Sequence, residues 1–191
     1  FSVAHRDTPA VTGLGNVMKT LIGKVLEKEL ERLKHLKKIK RPYVFVLGGG
    51  KVEECLLLLE NKLKDVDAVI CGGKIGIVGL IAQGYPIGLV DSEAQFLKAV
   101  KKFIHHKKIY WPCDLATRVH GKRKEFDLAH FPQGYPALDI GSKTMQEYIN
   151  IISKAKTIYL KGPMGFYEQK GFEKGQKYLL KAVAKTRAFS I

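Results

Sequence analysis

Three short stretches carry the residue types from which a phosphate-holding site could be built: Gly48-Gly49-Gly50-Lys51, Gly72-Gly73-Lys74 and Lys161-Gly162-Pro163-Met164-Gly165. Each follows a run of strand-forming residues, in the strings VLGGGK, ICGGK and YLKGPMG. Glycines let backbone N–H groups approach an anion closely, and a lysine beside them adds a full positive charge. Neither standard phosphate fingerprint is matched. Val52 stands where the P-loop needs Ser or Thr, and the third glycine of the dinucleotide pattern is missing. Taken alone, Gly48–Lys51 reads equally as a tight turn or a ligand cradle, and close helix–strand packing would account for Gly72-Gly73. Lys51 stands at the start of a helix, where a cation is mildly unfavourable, and so leans towards phosphate contact. Glu168 reads either as an early-turn acid of a following helix or as a carboxylate accepting hydrogen bonds from ribose hydroxyls. In ALDIGSKT, residues 137–144, Ser142 precedes a helical pattern and reads as its N-cap.

The elements that must position these loops alternate. Strand patterns at 43–47, 67–71, 108–111, 157–160 and 187–191 are interleaved with helical ones near 52–64, 75–83, 92–104 and 171–185. Such alternation predicts an α/β fold with a mostly parallel sheet covered by helices. The carboxyl ends of parallel strands share one rim, so the three loops converge where ligands bind in open sheets. Helix N-termini at that rim add unpaired N–H groups and a positive dipole end. Ahead of the sheet, apolar Met18, Leu21, Ile22, Val25, Leu26, Leu30 and Leu33 predict one long amphipathic helix over 17–36. The stretch 112–138, with its prolines and short alternating segments, predicts irregular hairpin structure at one edge.

Composition narrows the class. The 191 residues are 46% hydrophobic, a globular make-up large enough for a core without staples. No apolar run approaches the roughly 20 residues that cross a bilayer, and no signal peptide is visible. Cys55, Cys71 and Cys113 show no CxxC spacing and read as buried thiols of a reducing, cytoplasmic setting. His105-His106, beside Lys107-Lys108, reads as a solvated face. Thirty-three Lys and Arg against 18 Asp and Glu give +15, which attracts polyanions of any kind. Many of these cations, including those of HGKRKE at 120–125, need only solvation as an explanation. A basic nucleic-acid-binding domain is one reading of that charge, but no DNA- or RNA-binding signature accompanies it.

In order and approximate spacing, AHRDTPAVTGL (4–14), LEKELERL (26–33), RPYVFVLGGGKV (41–52), ALDIGSKT and KGPMGFYE resemble phosphoglycerate kinase, in an archaeal-like form. The resemblance covers nearly the whole chain. It implies a two-domain, hinge-bending, monomeric glycolytic kinase built from doubly wound, Rossmann-like domains with helices on both faces. Residues 1–16 would end the substrate domain, 17–40 would be the interdomain helix and hinge, and 41–191 most of the nucleotide domain. The implied reaction is reversible phosphoryl transfer between 1,3-bisphosphoglycerate and ADP, giving 3-phosphoglycerate and ATP, with Mg2+ and without nucleic acid or membrane partners.

Position by position, the resemblance makes His5 and Arg6 contacts of the acid substrate. Gly49, Gly50 and Lys51 would line the nucleotide phosphates, with Lys51 catalytic. Gly73, Gly141, Gly162 and Met164 would form the nucleoside pocket, and Glu168 would hold the ribose. Departures from the pattern are Cys55 for a second lysine, Lys161 for asparagine, Ser142 for proline, Gly50 for alanine and Lys74 for glycine. Cys55 also leaves open a catalytically inactive nucleotide-binding relative. A Gly-Gly-Gly-Asp-Thr phosphate loop is expected after Ile191, so the chain alone is expected not to turn over.

Overall fold

The computed structural model describes residues 7–34, 39–88 and 91–191. The chain divides into two compact units, Phe1–Ile39 and Lys40–Ile191. In the first, a π-helical turn Pro9–Gly13 and a 3-10 turn Leu14–Asn16 precede helix α1, Lys24–Lys34, and none of the three contains a buried residue. The helix expected over 17–36 therefore begins only at Lys24, and residues 35 and 36 lie outside the described set. Gly15, Thr20 and Gly23 are weak helix formers, and a stretch that buries no face gains too little from packing to offset them.

The second unit runs β1 (Tyr43–Leu47), α2 (Val52–Lys62), β2 (Ala68–Cys71), α3 (Gly73–Ala82), α4 (Asp91–Ala94), α5 (Leu97–Val100), β3 (Ile109–Tyr110), β4 (Asp114–Val119), β5 (Lys122–Asp127), β6 (Asp139–Ile140), α6 (Ser142–Lys154), β7 (Thr157–Lys161), α7 (Lys174–Lys185) and β8 (Phe189–Ser190). Five strands form one parallel sheet in the order β3-β2-β1-β7-β8. β1 lies at its centre and all five of its residues are buried, as its unbroken apolar run requires. Side chains alternate across the pleat. Tyr43, Phe45 and Leu47 join a core with Val52, Cys55 and Leu59 of α2 and Ile75 and Val78 of α3. Val44 and Val46 face the opposite core, with Met145, Tyr148 and Ile152 of α6 and Leu179 of α7. Helices on both faces make the fold doubly wound, as expected.

From β1 the chain steps outward through β2 to β3, then returns to place β7 on the other side of β1. The strand order reverses between β1 and β7, and a crevice opens outside the carboxyl ends of strands at such a reversal. Two of the glycine loops start there.

Two regions differ from the sequence pattern. The helix expected near 92–104 is two short pieces, α4 and α5, yet Phe96, Leu97, Val100 and Phe103 still reach the core, so burial is met without a continuous helix. The 112–138 stretch contains a regular hairpin. β4 and β5 pair antiparallel across a turn at His120 (φ 48°) and Gly121 (φ 74°), and β4 also pairs with β6 in a separate three-stranded sheet. No helix among the described residues is long and apolar enough to cross a membrane.

Candidate functional site

The rim loops are bonded to one another by backbone groups. Gly48 donates to the Lys161 carbonyl and Gly49 to that of Pro163, both at 2.7 Å. Gly73 donates to the Met164 carbonyl at 2.7 Å and Lys74 to that of Gly49 at 3.0 Å. Gly73 has φ 52°, and a Cβ there would stand 2.6 Å from the Gly49 nitrogen. Gly162 has φ 74°, and a Cβ would stand 2.6 Å from the Gly48 oxygen. These glycines are thus required for loop-on-loop packing, where helix–strand packing was expected for Gly72-Gly73. Gly50 differs, since a Cβ there meets nothing within 4 Å.

Between the loops lies a cavity of about 230 Å³. Gly49, Gly50 and Gly73 line it, and so do buried Met164 and exposed Glu168. Ile77, Leu115, Ala137 and Leu138 make much of the remaining wall apolar. Of the expected nucleotide contacts, Lys51, Gly141 and Gly162 do not line the cavity themselves. Gly162 abuts it through Pro163, Gly141 through Ile140, and Lys51 through Gly50. His5 and Arg6 lie outside the described residues. Glu168 is not an early-turn acid, because the next helix starts only at Lys174.

One wall is held by a charged network that the sequence concealed. Asp139 on β6 accepts from Arg123 Nη1 at 2.8 Å and from the Gly175 amide at 2.9 Å. Burial nonetheless pushes its carboxyl above the ordinary range. Arg123, within the basic stretch HGKRKE, is only 9% exposed at its side chain and lies 5.6 Å over the Phe172 ring. Solvation does not account for this residue. Alternation along β5 was the available signal, but so charged a strand gives little contrast.

The helix starts around the crevice differ in what satisfies them. Ser142 is not an N-cap. It opens α6, whose first amides are taken by two distant carboxylates: Glu125 accepts from Ser142 N, and Asp114 accepts from Lys143 N and Thr144 N at 2.9 and 2.8 Å. Asp139 serves Gly175 in α7, and backbone carbonyls take the first amides of α3. No side chain caps α2, whose N-cap position is Lys51. Its first amides thus lack a side-chain cap and can meet an anion, although Glu53 and Glu54 in the first turn already offset part of the dipole.

Beside that open end, Glu54 bridges two lysines. Lys51 lies 2.9 Å away, and Lys161 at the end of β7 makes a second, closer contact. The bond from Lys161, then that from Lys51, pulls the Glu54 carboxyl down to about 2. Lys161 is only 24% exposed at its side chain. Burial is the largest single influence and works against its charge, but the Glu54 bond and charge, with Cys55 and Tyr159 nearby, together raise its pKa. Lys74 is engaged elsewhere, 2.6 Å from buried Glu93. Cys55 packs with its Sγ 3.6 Å from the Gly48 oxygen, and burial pushes its thiol up to about 11, so it brings no charge to the rim. Cys113, expected to be buried, is exposed.

A reversal point in a parallel sheet, a crevice at its carboxyl rim and helices on both faces define a doubly wound α/β domain. The family model described as Phosphoglycerate kinase matches residues 1–191, and the chain belongs to that family. It is 34% identical to the phosphoglycerate kinase of Thermococcus sibiricus over 100% of this chain and 50% of that protein. With the enzyme of Methanococcus maripaludis the identity is 38%, over 100% and 49%. The crystal structure of phosphoglycerate kinase from Pyrococcus horikoshii superposes with a TM-score of 0.89 at 32% identity, covering 98% of this chain and 50% of that one. The chain spans about half the length of the curated relatives it matches.

Proposed function

We propose that the crevice holds ADP or ATP, and that the chain is the nucleotide-binding half of a phosphoglycerate kinase moving a phosphoryl group between 1,3-bisphosphoglycerate and ADP. One observation carries this reading: an apolar slot ends beside the uncapped, lysine-flanked start of α2. A base wants the slot and a polyphosphate wants the helix start. In this reading Gly73, Gly141, Gly162 and Met164 shape the nucleoside pocket. Glu168 accepts from ribose hydroxyls, and Gly49, Gly50 and Lys51 take the phosphates. His5 and Arg6 would meet the acid substrate, and α1 would connect the two domains of a cytoplasmic monomer.

Phosphoryl transfer needs alignment and charge neutralisation more than covalent help. Backbone N–H groups and the lysines beside them supply both. Among the described residues no three His, Cys, Asp or Glu side chains gather to hold a metal, and Glu54 is committed to two lysines. Magnesium would arrive as the magnesium salt of the nucleotide, held mainly by the phosphates.

Calorimetric titration with Mg-ADP tests the reading. Saturable binding that weakens in Glu168→Ala and in Lys51→Ala is expected. Binding indifferent to both changes would reject the site.

A further inference from the structure

We propose that Lys161 is a phosphate-binding residue of this crevice, and that Glu54 is a stand-in for phosphate which holds Lys161 and Lys51 together until a polyphosphate displaces it. This rests on the nucleotide reading above and adds a residue to it.

Placement comes first. Lys161 is the last residue of β7 and pairs in register with Leu47, the last residue of β1, so it lies at the strand reversal itself. Its carbonyl accepts the Gly48 amide, which ties it to the loop leading into α2. Its side chain crosses to the first turn of α2 and meets Glu54 there. Gly162 and Pro163, directly after it, turn the chain into the cavity wall.

Charge decides between a brace and a site. A structural ion pair needs one cation and one anion. Here two ammonium groups share one carboxylate at a helix start that already carries partial positive charge. Cys55 is neutral, so it does not balance the excess. The three groups in contact carry one net positive charge, with Glu53 of the same turn exposed to solvent, and a di- or triphosphate offers them more oxygens than one carboxylate does. Lys161 is part-buried and therefore loses less freedom on contact than Lys51, which is 76% exposed at its side chain.

The two residues should act with opposite signs. Adenosine, ADP and inorganic tripolyphosphate are titrated into the full chain and into Lys161→Gln, Lys161→Arg and Glu54→Gln, with folding checked by circular dichroism. Lys161→Gln is expected to weaken ADP and tripolyphosphate about tenfold, the scale of one charge-assisted contact. Lys161→Arg should retain most of the affinity. Glu54→Gln should tighten both ligands, because the competing carboxylate is gone, and adenosine should bind all four chains alike. Equal ADP affinity in wild type and Lys161→Gln overturns the proposal while leaving the nucleotide reading intact. Weakening by Glu54→Gln and Lys161→Gln together also overturns it, since that marks a folding brace. Tripolyphosphate responding as described without any adenosine binding supports the lysine pair and rejects the nucleoside pocket. Wild type binding neither ADP nor tripolyphosphate overturns both.

Discussion

The Gly73 amide donates to the Met164 carbonyl at 2.7 Å, joining the loop after β2 to the loop after β7 across the end of β1. The crevice floor is therefore a backbone construction, and side chains enter it only where backbone room allows.

A side chain at Gly73 should break that floor. With φ at 52° and a Cβ 2.6 Å from the Gly49 nitrogen, Gly73→Ala is expected to cost about 1–3 kcal/mol and to abolish ADP binding. Gly50→Ala has open space and should change stability by less than about 0.5 kcal/mol. Urea unfolding of the two variants checks the contrast.

The start of α6 depends on Asp114, not on Ser142. Asp114 accepts from the Lys143 and Thr144 amides and from the Thr144 hydroxyl at 2.6 Å, all but buried. Asp114→Ala should lower stability by about 1–3 kcal/mol, by loss of the cap and exposure of unpaired donors. Ser142→Ala should leave the melting temperature nearly unchanged.

Acid should loosen the rim in a defined window. The Glu54 carboxyl is lowered from its ordinary 4.5 to about 2 by Lys161 and Lys51. Folding favours its ionised form, so its contribution is complete above 4.5 and disappears as pH falls towards 2. Asp139 works the other way, because burial raises its pKa and protonation relieves that penalty. Thermal melts of wild type and Glu54→Gln should therefore differ at neutral pH and converge across that window. A constant difference would contradict the assignment.

Thiol reactivity should separate the cysteines. Burial raises all three thiols, but Cys55 and Cys71 are buried whereas Cys113 is exposed, so access separates them. Iodoacetamide on the folded chain should label Cys113 alone, read by peptide mass spectrometry. Labelling of Cys55 before unfolding would show that the loop above it opens.

The sequence announced the parts of this molecule that local burial determines. The run Tyr43–Leu47 is apolar because both faces of β1 are covered, and the glycines after it signal a close approach of backbone. Partners distant in sequence were silent. Nothing near Ser142 points to Asp114 or Glu125 as the caps of α6, and Arg123 looks solvated until β5 folds against Asp139. Lys161 and Cys55 stood out as separate departures from a pattern. Folding places both beside the Gly48 loop, one charged and one neutral. The 17–36 helix is shorter than expected for the converse reason: its apolar period is real, but the described part buries no residue.

A crystal structure of the chain with Mg-ADP tests the central claim most directly. The account predicts the base in the slot beside Gly73 and Met164, the ribose hydroxyls on Glu168, and the phosphates at the start of α2 with Lys161 released from Glu54. Nucleotide bound elsewhere on the surface, with the crevice empty and the Lys161–Glu54 contact intact, would contradict it.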